Sequence, residues 1–536
     1  MSGTEARKTS GSGRREARAL QESKEKRKIK LTATIVIVVM VLLFLGALFI
    51  NSKYIRRLMT AVTIEGVKFS AAEFDYYYNN AVYEYSSIMS EQMGDYASEY
   101  LPTNDRPHSS QIKDEETGET WASFFGMIAM ERLSELVSYH KDAERNGYVM
   151  TEETRNNVEE EVASLKATAE MYGGQYSNFN TFLQEFYGAS INEKTFRKIA
   201  EFIDTAAAYA EHVHDSFTYT PQSLKDYYAE KKDSLDIISY RYFLITAESV
   251  DESEFDSTDE YETAKETALT DALEKAAEVA ESIESEEDFI AAAREYNEDA
   301  YEDEDSTFYK TMGENLSASL RPWLIEAERE HADATAIEMT TGAYVVLFVS
   351  RDDNNYPMVE MRQLLFLRED TDPEDFYEYD EIDPEEFFFD EDAYDQAVEL
   401  RDGLARARAY EAYDIFVAGG ATEAKLLEML EEYSDDETEG GFYNQITTYE
   451  YQNKLVPEIE EWLFDPERQV GDYEMIKTED FGYHLIYFTG YGELFCDSIA
   501  ESRMRESDYN EWKENLPAPE SEERWGMILT QRRGRS

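Results

Sequence analysis

Cysteine is almost absent from this 536-residue sequence: the lone Cys496 excludes a disulfide framework within the chain and a cysteine-based metal site. Histidine is scarce too, at six residues, and no HExxH, CxxC or GxxxxGKS/T pattern occurs. Those absences remove the common zinc, thiol-redox and P-loop chemistries. Positive charge is in short supply, with 51 Lys/Arg against 116 Asp/Glu and a formal net charge of −65. A polyanion repels a polyanion, so no nucleic-acid partner is expected. Apolar residues are not scarce. At 42% they suffice for ordinary cores and argue against global disorder. The length allows two to four domains.

The charge is unevenly spread. Residues 1–57 hold thirteen Lys/Arg and four Glu, a local charge of +9, which leaves −74 for the remainder. Within that basic region, Leu31 to Ile50 reads LTATIVIVVMVLLFLGALFI, without a charged residue. Twenty apolar residues at about 1.5 Å of helical rise span the roughly 30 Å hydrocarbon core of a bilayer. The larger basic block precedes the span, so the sequence predicts a basic cytoplasmic tail (1–30), a single-pass transmembrane anchor (31–51) and an extracytoplasmic body. A cleaved signal peptide with a long basic start is the alternative; the flanks of Ala47 and Asn51 suit cleavage poorly.

Residues 60–235 read as a mostly helical domain. Val62 to Val67 predicts a short strand and turn. Ser70 and Glu73 form a capping box before a helix, with Phe69 placed to staple onto Phe74. Apolar residues recur at helical spacing from Trp121 to Val137. Thr151 caps another helix, Gly188 stops one, and Thr220-Pro221 opens one. The tyrosines at 76, 77, 78, 83 and 85 fit helix packing better than a binding surface. His212 and His214 lack a third ligand, so no metal is expected there.

The second half repeats itself. Ile238 to Ile245 matches Val359 to Phe366, with Arg241 and Arg362 at the same place. Phe289 to Tyr296 matches Leu426 to Tyr433, Pro322-Trp323-Leu324 matches Glu461-Trp462-Leu463, and Gly342 to Phe348 matches Gly482 to Phe488. The order is strand, helix, helix end, loop, helix, strand, twice. An α+β fold class follows, with duplicated domains at 236–352 and 359–492.

The second copy carries an ordered set of motifs: Tyr433-Ser434-Asp435-Asp436, Gly440-Gly441, Pro457-Glu458-Ile459 through Phe464, Gly471-Asp472, and Gly482-Tyr483-His484. This set resembles the parvulin-type peptidyl-prolyl isomerases. The first copy resembles a degenerate parvulin-like domain, because it lacks the Gly-Gly loop and the histidine. The whole layout is similar to bacterial membrane-anchored SurA/PrsA-like foldases, with residues 60–235 in the place of their helical chaperone domain. The resemblance implies peptidyl-prolyl cis-trans isomerisation of exported polypeptides, no cofactor, and unfolded or newly exported chains as partners.

Rotation about the X-Pro bond faces a barrier of about 18–20 kcal/mol from amide resonance. A catalyst holds the proline in an apolar slot and favours the twisted amide. The resemblance assigns His484 to the last-strand histidine, Asp436 to the loop acid, and Ile459 and Phe464 to the slot that binds substrate. Gln363 stands where the family has a first-strand histidine. In the first copy Tyr242 and Tyr344 hold the two histidine positions, and its loop, Asn297-Glu298-Asp299, has no Gly-Gly, so no activity is expected of it. Two alternatives stay open. His484 also reads as a buried histidine that closes the sheet, and Asp436 as a solvated loop acid. Gly440 and Gly441 suit a turn with positive φ.

The stretch from Glu369 to Asp395 holds fifteen Asp/Glu, no Lys/Arg and seven Phe/Tyr. It reads as a solvated loop, or as a soluble client-binding surface. Oxygen ligands for calcium abound there, but no DxDxDG loop occurs, so support for calcium is weak. The tail at 493–536 shows no motif. Non-catalytic holdase activity, with the second copy a pseudo-enzyme, and an acidic surface or ion-binding role are the alternatives to an isomerase.

Overall fold

The computed structural model describes residues 30–41 and 52–530, apart from 104, 173, 298–299, 302, 380–386 and 449–454. Residues 30–41 are helical, and the rest of the expected anchor lies outside the described residues. Among the described residues, no helix is long and apolar enough to cross a membrane. The chain forms two compact units, one of residues 1–218 with 507–536 and one of residues 219–506.

The first unit starts from a hairpin. β1 (Thr60–Ile64) and β2 (Val67–Ser70) pair antiparallel around Glu65-Gly66, both at positive φ. The expected capping box then opens α1 (Ala71–Met93): the Ser70 hydroxyl accepts from the Glu73 amide, and the Glu73 carboxylate accepts from the Ser70 amide. Phe69 packs edge-on against Tyr77 and Phe202. Thr120, Thr151, Asn178 and Asn192 cap α2 (Trp121–Asn146), α3 (Glu152–Met171), α4 (Phe179–Tyr187) and α5 (Glu193–Ser216). Gly188 ends α4. Phe74, Tyr78, Phe125, Leu133 and Phe196 fill the core between them. Of the five clustered tyrosines, 76, 77 and 78 are buried in it, whereas Tyr83 is exposed. His212 and His214 lie on the last turns of α5.

Of the C-terminal tail, which shows no motif, residues 507–536 complete this unit, whereas 493–506 belong to the second. Ser521–Glu523 pairs with the free side of β1, giving a three-stranded sheet. The Trp512 ring stacks on Tyr139 at 5.3 Å and its indole N–H donates to Asp142 at 3.1 Å. Met527 and Leu529 enter the same core.

The second unit opens with α6 (Pro221–Leu235), capped by Thr220 as expected. It holds two four-stranded antiparallel sheets. The first comprises β3 (Ile237–Thr246), β4 (Phe308–Met312), β5 (Ala334–Met339) and β6 (Gly342–Asp352), in the order β4-β3-β6-β5. α7 (Thr258–Ser282) and α8 (Glu286–Tyr296) cover one face. The second comprises β7 (Pro357–Leu367), β8 (Phe442–Ile446), β9 (Tyr473–Thr478) and β10 (Gly482–Leu494), in the matching order β8-β7-β10-β9. α9 (Glu391–Ala418) and α10 (Glu423–Tyr433) cover its equivalent face. In each copy the aligned arginine does the same work: Arg241 pairs with Glu286 and Arg362 with Glu423, both at 2.7 Å, where a helix begins. Of the acidic insert, Tyr377–Tyr379 and Phe387–Phe389 pair antiparallel, and the segment between them lies outside the described residues.

Candidate functional site

Strand alternation divides the second sheet. Leu364, Phe366, Tyr483 and Leu485 point to α9 and α10, whereas Val359, Met361, Ile486 and Phe488 point to the opposite face. Gln363 and His484 share the second face, and the register sets them near each other, because Gln363 lies opposite Ile486 and His484 opposite Leu365. α11 (Pro457–Leu463) closes over that face with Ile459 and Leu463.

Three of the five expected residues, His484, Gln363 and Asp436, meet in one hydrogen-bonded chain. Thr478 and the His484 Nε2 are 3.0 Å apart, and the His484 Nδ1 is 3.0 Å from the Gln363 Oε1. Gln363 Nε2 donates to Asp436 Oδ2 at 2.8 Å and to the Tyr443 hydroxyl at 3.1 Å. Tyr443 donates onward to the same carboxylate oxygen at 3.0 Å. These partners fix the histidine tautomer. Gln363 uses its amide N–H groups on Asp436 and Tyr443, so its oxygen accepts, Nδ1 carries the proton, and Nε2 accepts from Thr478. Every bond of the chain therefore points its donor toward Asp436.

Electrostatics follow from depth. His484 is 4% exposed and Gln363 6%. Burial pushes the His484 imidazole down to about 4, so it is neutral at pH 7. Burial alone would raise the Asp436 carboxyl, but hydrogen bonds from the Thr438 amide, Gln363 and Tyr443 outweigh it and hold the group below its ordinary value. A neutral imidazole behind an ionised carboxylate is the result. Asp435 has a different job. Arg408 grips both its oxygens, at 2.8 and 3.0 Å, and the Leu367 amide donates to it at 2.9 Å, which fastens the loop to α9 and β7.

The loop that presents Asp436 depends on Gly440 and Gly441, at φ +65° and +55°, as the sequence predicts. A Cβ on Gly441 would lie 2.5 Å from the Gln363 carbonyl oxygen. Tyr443 of the network is half-buried against the cluster that contains Ile459, and Phe464 packs half-buried on the same cluster, its ring 6.4 Å from that of Tyr356. Ile459 itself is 2% exposed and fills the core, so it supports this surface from beneath.

Tyr443, Thr478, Thr438 and Ser434 belong to the network and were not expected. Ser434 accepts from the Leu365 and Asp436 amides, and Thr438 bonds the Tyr443 hydroxyl at 2.9 Å. In the first copy the same face is aromatic. Tyr242 lies 4.8 Å from Tyr344 and 4.5 Å from Tyr309, ring centre to ring centre. Met339 stands at the register position of Thr478, so the hydroxyl, the imidazole and the amide are all missing. Of its expected loop, Glu298 and Asp299 lie outside the described residues. Among the described residues, no group of three or more His, Cys, Asp or Glu could hold a metal ion.

No protein-family model matches the chain, and no curated protein matches it. Among the solved structures similar to it at low identity are three foldases. Peptidylprolyl isomerase (PrsA) from Bacillus anthracis is 13% identical over 52% of this chain and 88% of its own, with a TM-score of 0.19. PrsA from Bacillus subtilis is 12% identical over 55% and 87%, with a TM-score of 0.14. Foldase protein (PrsA) from Lactococcus lactis is 12% identical over 70% and 93%, with a TM-score of 0.19. Likenesses this slight do not assign a function.

Proposed function

We propose that the chain is an extracytoplasmic folding factor, anchored through residues 31–51, whose second sheet domain isomerises X-Pro bonds in unfolded exported polypeptides. One observation carries the catalytic part: the donor-aligned chain from Thr478 through His484 and Gln363 to the Asp436 carboxylate, with the half-buried Tyr443 bonded to both Gln363 and Asp436. Amide resonance places negative charge on the carbonyl oxygen and double-bond character in C–N. A carboxylate near that oxygen raises the planar amide relative to the twisted one, whose oxygen is less charged, and so lowers the rotational barrier. In this reading Asp436 supplies the field, Gln363, Tyr443 and Thr438 aim it, His484 braces Gln363, and Phe464 packs the proline ring. No proton transfer and no cofactor enter the reaction.

A second reading rests on a specific observation. His484, Gln363 and Ile459 are almost wholly buried, so substrate meets only the outer edge of the network. That fits a holdase whose parvulin-like domain is a structural relic. Refolding of a denatured protein limited by a proline step separates the two. The isomerase reading expects the slow phase to quicken with added chain and to lose that effect with Asp436→Asn. A holdase suppresses aggregation but leaves the slow phase unchanged for both chains. Placement outside the membrane is tested by protease added to intact cells, which should remove the acidic body and spare residues 1–30.

A further inference from the structure

We propose that the short helix Lys53–Leu58 and the cavity beside it seat anionic phospholipid headgroups of the outward-facing leaflet, with Arg57 and Lys194 taking the phosphate and Tyr54 and Leu58 covered by the interface. The inference rests on reading residues 31–51 as a membrane anchor, and it adds a headgroup site on the folded body, which that reading does not contain. Ser52 caps the helix, and Arg56 fastens it to the first unit, donating to the Leu529 carbonyl at 2.8 Å and pairing with Asp75 at 3.4 Å. Tyr54 and Leu58 lie one turn apart on it, 62% and 61% exposed. Both line a cavity of about 850 Å³ together with Arg57, Lys194, Arg197 and Lys198. That volume falls within the about 300–1,000 Å³ of small-molecule sites.

Charge at this corner departs from that of the chain, where acids outnumber bases by 116 to 51. Three carboxylates line the cavity, and two of them are already taken up: Glu73 by Lys198, and Glu193 by Arg197 at 3.0 Å. Glu201 is left against two cations, Arg57 and Lys194, neither of which pairs with a carboxylate among the described residues. The Arg57 Nε donates to the Ser190 carbonyl at 2.6 Å, and burial pulls its guanidinium below the ordinary value. A partly desolvated guanidinium without a counterion suits the oxygens of a phosphodiester. Lys53, just before Tyr54, bonds the Gln184 side-chain oxygen and adds a third such cation.

Covalent reach selects the source of the phosphate. Ile50 ends the apolar run, and Tyr54 stands four residues later. Four residues span at most about 14 Å, so the cavity mouth cannot leave the neighbourhood of the headgroup layer. A free anion would leave Tyr54 and Leu58 in water, whereas a bilayer interface covers an aromatic and a leucine while its phosphates meet the cations beside them. The rest of the exported body, at −74 with the basic start set aside, is repelled by the same anionic surface. A cationic corner next to the anchor therefore orients the first unit on the membrane.

The test uses the full chain carrying Tyr54→Trp in nanodiscs of phosphatidylcholine alone, or of equal parts phosphatidylcholine and phosphatidylglycerol. Quenching by lipids brominated high on the acyl chain is read as the excess over the chain with its native tyrosine. At least twofold more quenching is expected with phosphatidylglycerol, and 0.5 M salt should remove the difference, because screening at about 1 M acts within about 3 Å. Lys194→Gln and Arg57→Gln should each reduce the difference, and together abolish it. Lys194 is exposed and makes no ion pair among the described residues, so its variant guards against an Arg57 variant that fails to fold. Equal quenching in the two lipids, or a difference that survives in the folded double variant, overturns the proposal. So does loss of the difference on adding inorganic phosphate at constant ionic strength, which would mark a free-anion site. If the chain stays in the discs without quenching in either lipid, the headgroup site is wrong and the anchor stands. If the chain does not enter the discs, both fall.

Discussion

His484 carries a large electrostatic consequence for one side chain. Its imidazole titrates at about 4 in the fold, against an ordinary 6.5, so the unfolded chain binds that proton first as pH falls. Stability from this group is full above about 6.5, declines between 6.5 and about 4, and reaches its floor below. The difference is worth about 3 kcal/mol at the lower end. Urea unfolding at pH 7.5 and 4.5 should show the loss, and His484→Gln should flatten that part of the profile. The Asp436 carboxyl lies below its usual range, so it stays ionised, and any isomerase activity should hold, as pH falls from 7 to about 5, before His484 gains its proton. An activity already lost above about pH 5 would speak against Asp436. Tyr443→Phe removes one donor to that carboxylate and should lower activity about three- to tenfold with little change in stability, as read from kcat/KM and melting temperature. His484, Asp436 and Gln363 were legible because motif order marks them. Tyr443 and Thr478 were not. Tyrosine is common in this chain, at 39 residues, and only strand register reveals which hydroxyl meets the site.

Among the elements, the loop between α10 and β8 makes exacting demands on its backbone. Gly441 combines positive φ with a close approach to the Gln363 carbonyl. Gly441→Ala should therefore cost about 2 kcal/mol or more and displace Asp436, detectable as a lower melting temperature together with lost activity. Helix starts were the most readable elements, because a side-chain cap is a local event: Ser70, Thr151 and Thr220 each cap as the sequence predicts. The duplicated strands were readable for the same reason, through their matching Arg241 and Arg362. The slot was less so. Ile459 lies at the expected place on α11 but faces inward, because the short helix must bury one side to stay on the sheet.

For the whole molecule, residues 507–536 of the tail join the first unit although they follow the second. Trp512 stacking and the Ser521–Glu523 strand bring it back to β1 and α2. The sequence hides this, since a three-residue strand reading Ser-Glu-Glu has no alternating apolar pattern to announce it. Trp512→Ala should cost the first unit about 2–3 kcal/mol and speed its cleavage in limited proteolysis, while the second unit's cleavage rate is unchanged. The uneven charge was legible at this scale: the +9 start and the −74 body separate a proposed anchor from a proposed client-handling body. The catalytic claim rests on a far smaller part of the chain. The most direct test is exchange NMR on an Ala-Pro peptide with catalytic amounts of the full chain. The account predicts faster cis–trans exchange, reduced tenfold or more by Asp436→Asn; an exchange rate equal to that of the peptide alone would contradict it.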